Sequence, residues 1–132
     1  MNSLHYKKLR KFKLKGYKIH NKKLYFGFYG LKSLETGRID SKVFKSLIDI
    51  VKRKVKLHKG KFWFSLNHSI PVTQTPIGTR MGKGKGNISH HVAFVKKGQI
   101  LCELSLSDKS IAFEILTIAA SKLPVKCKIV VY

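Results

Sequence analysis

The spacing of apolar residues along the chain predicts two amphipathic helices. Within residues 43–55, apolar positions recur every three or four residues, which is the period of one helix face. Asp40 precedes this run as an expected N-cap, and the helix should end near Leu57. A second apolar run follows Ser107, the expected N-cap of another helix, and Pro124 should stop that helix.

Aromatic and β-branched runs bounded by turn residues predict the strands. In chain order these runs cover residues 25–31, 62–66, 91–95, 99–104 and 125–132. Turns are expected around Glu35–Gly37 and at Lys96–Gly98. This order of elements predicts an α+β fold in a single domain, with a mainly antiparallel sheet and two helices.

Two segments lie outside this periodic pattern. Residues 67–87 contain prolines and four glycines without a hydrophobic period, which predicts a long loop, a kind of segment that is usually functional or disordered. Residues 1–23 are basic with interleaved aromatics and predict an arm, leaving residues 24–132 as the folded domain. The arm is either a solvated tail, a segment that orders on RNA, or a mitochondrial transit peptide.

Charge narrows the class of partner. The chain has 28 Lys and Arg against 6 Asp and Glu, for a net charge of +22. Residues 1–61 hold +16 of this charge, and no acid precedes Glu35. Such a domain repels itself unless a polyanion neutralises it, so nucleic acid or an anionic membrane is the expected partner.

The chain offers little that predicts catalysis, a cofactor or a metal site. With six acids, Glu103 and Glu114 are expected to be structural partners of other groups. His90 and His91 are adjacent on a predicted strand and point to opposite faces, which disfavours a shared metal ion. Cys102 and Cys127 lie in apolar runs and are expected to be buried thiols in strands. No apolar run is long enough to predict a transmembrane helix, and no cofactor is expected.

The most informative motif is the segment Arg80–Asn87, with the sequence RMGKGKGN. Alternating glycine and lysine lets the backbone approach a phosphate chain while ammonium groups reach past it. The spacing differs from a Walker A loop, which needs four residues between its first glycine and Gly-Lys, followed by Ser or Thr. The motif therefore predicts RNA binding without nucleotide hydrolysis.

The chain resembles the universal large-subunit ribosomal protein sixteen family in its bacterial and organellar form. The motifs that match are FGFYGLK at residues 26–32, GKFWF at 60–64 and RMGKGKGN at 80–87. The likeness extends from about residue 7 to the C-terminus, and the third motif is the most specific. The resemblance implies the family's hammerhead-like α+β domain, bound to large-subunit ribosomal RNA near the aminoacyl-tRNA site. It also implies that the loop carrying the motif of residues 80–87, here called the Gly/Lys loop, points toward the tRNA acceptor end. Other large-subunit proteins would be neighbours of the chain.

The resemblance also bears on location. Because the match begins near residue 7, we expect no separate transit peptide. Lysine outnumbers arginine 24 to 4, a bias that fits an A/T-rich genome. We therefore expect a mitochondrial ribosome, with a bacterial cytoplasm or a plastid as the alternatives.

The main hypothesis is a structural RNA-binding protein of the large ribosomal subunit. Met81 is expected to pack under its loop or against RNA, and the remaining expected contacts are basic or amide side chains. The expected RNA-binding residues are Lys11, Lys13, Lys15, Lys32, Arg38, Arg53, Arg80, Met81, Lys83, Lys85 and Asn87. The alternatives are a general binder of nucleic acid or anionic surfaces, and an enzyme acting on RNA, for which no catalytic constellation is visible.

Overall fold

Seven strands and two helices form the fold in a computed structural model that describes residues 8–10, 16 and 23–132. In chain order they are β1 (Tyr29–Ser33), β2 (Gly37–Asp40), α1 (Ser41–Leu57), β3 (Lys61–Phe64), β4 (Ile70–Gln74), β5 (Asn87–Val95), β6 (Ile100–Ser105), α2 (Lys109–Lys122) and β7 (Cys127–Val131).

The strands form two sheets in which neighbouring strands are antiparallel. One sheet has the order β3-β6-β1-β7, and the other has the order β2-β5-β4. The apolar faces of α1 and α2 pack with one face of the four-stranded sheet and form the main core, around Leu31, Leu104 and Leu116. The predicted single-domain α+β architecture is confirmed.

The first helix has the bounds that its hydrophobic period predicts. Asp40 is the N-cap, and its carboxylate accepts a hydrogen bond from the Lys42 backbone N–H at 3.3 Å. The helix ends at Leu57, and Leu47, Val51 and Val55 are its buried residues. Local capping and burial of one face favour the same bounds, which is why the pattern predicted them well.

The second helix begins one residue later than predicted. Asp108, and not Ser107, is the N-cap, and the Ala112 N–H donates to the Asp108 carbonyl at 3.1 Å. Ser and Asp are both good N-caps, so adjacent candidates give the sequence no basis for choosing between them. The helix ends at Lys122, shortly before Pro124, as expected.

The predicted strand at residues 25–31 is wrong at its start, because β1 begins only at Tyr29. The backbone N–H groups of Tyr25, Phe26 and Gly27 all donate to one oxygen of Glu103, at 2.9, 2.7 and 3.0 Å. Three consecutive N–H groups directed at one carboxylate cannot alternate as a strand requires. Residues 24–28 therefore form a separate segment, here called the strap.

The predicted loop at residues 67–87 contains a strand, β4, so the connection between β4 and β5 covers only residues 75–86. Pro71 made this strand hard to predict, because proline removes a hydrogen-bond donor from a sheet. The structure resolves the conflict by placing β4 at the edge of the three-stranded sheet. An edge strand has a neighbouring strand on one side only, so the other side of β4 needs no backbone hydrogen-bond donors.

Both cysteines are free, and burial raises the pKa of Cys102 to about 12 and that of Cys127 to about 11. Because these pKa values lie above the ordinary value of 9.0, both thiols of the folded chain are neutral at pH 9.0 and below. The resulting stabilisation is complete below pH 9.0 and is lost as the pH rises toward the folded values. This confirms the expectation of thiols in strands, with Cys127 only partly buried.

We expect both thiols of the folded chain to react at pH 8 at least about 100-fold more slowly with a disulfide reagent than in denaturant, because the thiolate is the reactive form. The absorbance of the thiolate that the reagent releases measures both rates. Fast reaction of two thiols in the native chain would contradict the buried placement.

Candidate nucleic-acid interface

The loop of residues 75–86 projects from the three-stranded sheet between β4 and β5. Residues 75–85 are all exposed, and only Gly86 at the base is partly covered. Arg80 and Lys83 have no hydrogen-bond or ion-pair partner among the residues that the structure describes. The most specific sequence motif is therefore presented to solvent as a set of accessible cations.

Three of the four glycines in this loop are required by backbone conformation and not by packing. Gly78, Gly82 and Gly84 have φ values of 86°, 88° and 80°, and a Cβ on any of them would meet open space. Positive φ is the conformation that L side chains avoid. The turns made at these glycines allow the intervening cations, Arg80 and Lys83, to extend into solvent.

Met81 does not pack under the loop, which corrects one of the two placements expected for it. Its side chain is 102% exposed, and that of Ile77 is 103% exposed. The reason is that the loop extends beyond the sheet, where no apolar surface of the described residues lies beneath it. Contact with RNA remains the other expected role of Met81.

The structure ties the arm to the loop, a contact that no pattern in the sequence signals. The Lys8 ammonium donates to the Lys85 carbonyl at 3.1 Å, and the Lys85 ammonium donates to the carbonyl of Leu9. These reciprocal bonds join residues that lie 76 and 77 positions apart. One of the three donors of Lys85 is therefore used within the protein.

The same contact creates a basic cleft of about 250 Å³ beside the loop. Arg10, Arg38 and Lys85 line it together with apolar residues of β4 and β5. The Arg38 guanidinium lies 5.1 Å from the centre of the Phe94 ring, a cation–π contact that limits its motion. The structure thus brings two expected RNA-binding residues together and adds Arg10, which the sequence did not single out.

The other expected residues are distributed over the surface. Asn87 is the first residue of β5 and pairs with Gln74 at the base of the loop. Lys32 is on β1, and Arg53 is on α1, where its Nε donates to the Asp49 carbonyl at 3.2 Å. Lys11, Lys13 and Lys15 lie outside the described residues.

Comparison with known proteins identifies the family to which the chain belongs. Residues 1–130 match the family model for ribosomal protein L16p/L10e. The chain is 39% identical over 122 residues to the large ribosomal subunit protein uL16 of Buchnera aphidicola subsp. Cinara cedri, covering 92% of this chain and 88% of the relative. It is 40% identical over 126 residues to the uL16 of Borreliella burgdorferi strain ZS7, covering 96% of this chain and 91% of that protein.

The chain belongs to the ribosomal protein L16p/L10e family. Membership gives it a structural role in the ribosome, where ribosomal RNA and other ribosomal proteins are its partners. The resemblance stated from the motifs at residues 26–32, 60–64 and 80–87 is confirmed.

Acidic groups of this L16p/L10e family member are engaged away from the loop. Glu114 on α2 pairs with Lys54 on α1 at 2.7 Å, and this hydrogen bond and charge lower the pKa of Glu114. Glu35 lies 3.4 Å from the Lys126 ammonium. Both acids expected to be structural partners, Glu103 and Glu114, have that role, and residues 67–87 contain no acid to compete with phosphate.

The described part of the chain contains no group of three or more His, Cys, Asp or Glu side chains placed to hold a metal ion. His90 instead lies 4.0 Å from the Asp40 carboxylate. Among the described residues, neither helix is long and apolar enough to cross a bilayer.

Proposed function

We propose that the chain holds large-subunit ribosomal RNA in shape near the aminoacyl-tRNA site and helps position tRNA through the loop of residues 75–86. The observation that carries this proposal is the exposure of Arg80 and Lys83 on a glycine-rich loop without a described acidic neighbour. Such a loop can approach a phosphate backbone closely, and its cations release counterions on contact.

Arg80 has the leading role in the proposed contacts of the loop, which are with ribosomal RNA beside the aminoacyl-tRNA site and with the tRNA acceptor end. Its planar guanidinium can donate two parallel hydrogen bonds to one phosphate, whereas a lysine acts as a point charge. Lys83 adds charge beside it, Met81 offers an apolar surface to a base or ribose, and Asn87 contacts RNA at the base of the loop.

The remaining contacts position the domain on ribosomal RNA. In this proposal, residues 1–23 are an RNA-binding arm that uses Lys11, Lys13 and Lys15, and residues 24–132 form the folded domain. Arg38 contributes from the basic cleft, while Lys32 and Arg53 contact RNA on other faces. Contacts on several faces suit a protein seated between RNA segments, with other large-subunit proteins as neighbours.

We further propose that the chain supplies no catalytic group and works in a mitochondrion. The loop's chemistry is that of binding, since residues 75–86 carry cationic, apolar and threonine side chains and no acid or histidine that could act as a general base. The excess of 24 lysines over 4 arginines supports an A/T-rich organellar genome, although the relatives named above are bacterial. Sedimentation of mitochondrial and cytosolic lysates on sucrose gradients in low-magnesium buffer, with an antibody to this chain, tests both location and subunit. Detection only in light, RNA-free fractions contradicts the proposal.

Substitution of Arg80 or Lys83 by alanine should leave folding intact and impair translation. Both side chains are exposed, so the free energy of unfolding should change by less than about 0.5 kcal/mol. Loss of a charge-assisted hydrogen bond should weaken binding of aminoacyl-tRNA to subunits that carry Arg80→Ala by about 10-fold. Filter binding to purified large subunits measures this affinity.

Lys122→Ala is the matched control, because it removes an exposed cation at the end of α2, far from the loop in the chain. Gradient profiles of the same cells show whether subunit maturation is affected as well. Normal tRNA affinity and normal maturation in both loop variants would refute the proposed role of the loop.

A further inference from the structure

The strap of residues 24–28 crosses the outer face of the four-stranded sheet, opposite the helices. In β3, Phe62 and Phe64 pack against the core, so the alternation of the strand directs Trp63 to the outer face. Trp63 pairs in register with Glu103 of β6, the residue that binds the strap. Trp63 and the strap therefore share the outer face.

The position of the strap is fixed by close backbone contact and by one buried carboxylate. A Cβ on Gly27 would lie 2.7 Å from the Leu104 carbonyl oxygen, so only glycine allows the strap to approach β6 this closely. Glu103 is 5% exposed, and one of its oxygens accepts the three N–H groups of Tyr25, Phe26 and Gly27. The backbone is thus held against the sheet.

This arrangement directs aromatic side chains away from the protein. Tyr25 is 70% exposed and Phe26 is 69% exposed. The Phe26 ring is stacked with that of Trp63, with centroids 6.0 Å apart and planes at 26°. Tyr25, Phe26 and Trp63, here called the aromatic cluster, line one open groove of about 670 Å³.

We propose that the aromatic cluster binds an unpaired nucleobase of the RNA partner by stacking. This inference rests on the proposed RNA-binding function and assigns a separate contact to a surface outside the Gly/Lys loop. Aromatic rings on a sheet face are a recurrent means of binding single-stranded RNA, because every base has a π-face. The strap holds the rings in place before binding, which reduces the loss of entropy on contact.

The charge on the same face favours RNA over a protein segment as the occupant. Lys32 of β1 and Lys128 of β7 are directly paired across the sheet. Strand alternation places both on the outer face, because Leu31 and Ile129 pack in the core. Like charges at paired positions repel each other, and neither lysine has an acidic partner among the described residues. A phosphate between them would relieve this repulsion.

The spacing suits one RNA strand that crosses the sheet. Neighbouring strands lie about 4.8 Å apart, so β3 and β1 are separated by about 10 Å, and β3 and β7 by about 14 Å. When a base stacks on the aromatic cluster, the phosphates of the next nucleotides therefore lie within reach of the side chains of Lys32 and Lys128. Glu103, the acid at the floor of the groove, already accepts hydrogen bonds from the strap.

Trp63 is the single tryptophan of the chain, so its fluorescence reports on the cluster directly. The full chain is titrated with a single-stranded uridine oligomer about 10 nucleotides long and with an RNA duplex of equal phosphate number. We expect the single strand to quench Trp63, and the duplex to bind without quenching. Phe26→Ala and Phe26→Leu should each lower single-strand affinity about 5- to 100-fold, because neither retains a π-face.

Tyr132→Ala is the matched control, since it removes another exposed aromatic outside the aromatic cluster. Circular dichroism confirms that each variant is folded. RNA binding with no quenching, equal quenching by the duplex, or unchanged affinity in both Phe26 variants would overturn the inference and leave the proposed function standing. Quenching by a large-subunit protein but not by RNA would also overturn it. Absence of any RNA binding at low salt would contradict the proposed function itself.

Discussion

Glu103→Ala is expected to lower the free energy of unfolding by roughly 2–4 kcal/mol, because three backbone N–H groups lose one charged acceptor. The donors are Tyr25, Phe26 and Gly27, and the N–H of Gly27 is buried. Water can replace the carboxylate at the partly exposed donors but not fully at the buried one. Denaturant unfolding followed by far-ultraviolet circular dichroism measures the change.

Glu114→Ala is the matched control, because it also removes one carboxylate and raises the net charge equally. Glu114 is exposed and pairs only at the surface with Lys54, so its loss should have little effect. Glu103→Gln should fall between the two, since its amide oxygen still accepts hydrogen bonds but carries no charge. Equal stability of Glu103→Ala and Glu114→Ala would show that the strap does not depend on this carboxylate.

Affinity for large-subunit ribosomal RNA is expected to fall about 10,000-fold between 50 and 200 mM salt, because phosphate contacts release condensed counterions. This size follows from the cations that the proposed function assigns to RNA, which are Lys11, Lys13, Lys15, Lys32, Arg38, Arg53, Arg80, Lys83 and Lys85. Filter binding over a salt series gives the slope of log affinity against log salt. The double variant Arg80→Ala/Lys83→Ala should flatten that slope by about 1.5.

The control for this experiment is Lys54→Ala/Lys109→Ala, which lowers the net charge by the same amount. Lys54 is paired with Glu114, and the Lys109 ammonium lies 5.7 Å from the centre of the Phe113 ring. Neither belongs to the proposed interface, so this variant should keep the slope of the unsubstituted chain. Equal slopes in the two double variants would mean that only overall charge, and not the loop, is recognised.

Elements governed by local interactions were predictable from the sequence. Helix α1 was located closely because its N-cap, its period and its last turn all lie within one contiguous segment. The turn at Lys96–Gly98 was also predictable, since Gly98 has a φ of 84° that favours glycine. The exposure of Arg80 and Lys83 was implicit in a loop made of glycine, lysine and no acid.

Features that depend on distant residues were missed. Residues 25–28 have the composition of a strand, but Glu103, more than 70 positions away, withdraws their N–H groups from sheet pairing. Strand β4 was missed because the edge position that tolerates Pro71 exists only once the sheet has assembled. The bond between Lys8 and Lys85 likewise joins segments that no local pattern connects.

By itself the sequence determined the fold class, the basic character, the family resemblance and the Gly/Lys loop, because each of these depends on composition, on hydrophobic period or on short motifs. Only the tertiary structure decided which of these basic residues share a surface. It brought Arg10, Arg38 and Lys85 into one cleft and placed Lys32 beside Lys128 on another face. The physical reason is that strand register and a buried carboxylate act between residues far apart in the chain, where spacing in sequence carries no information.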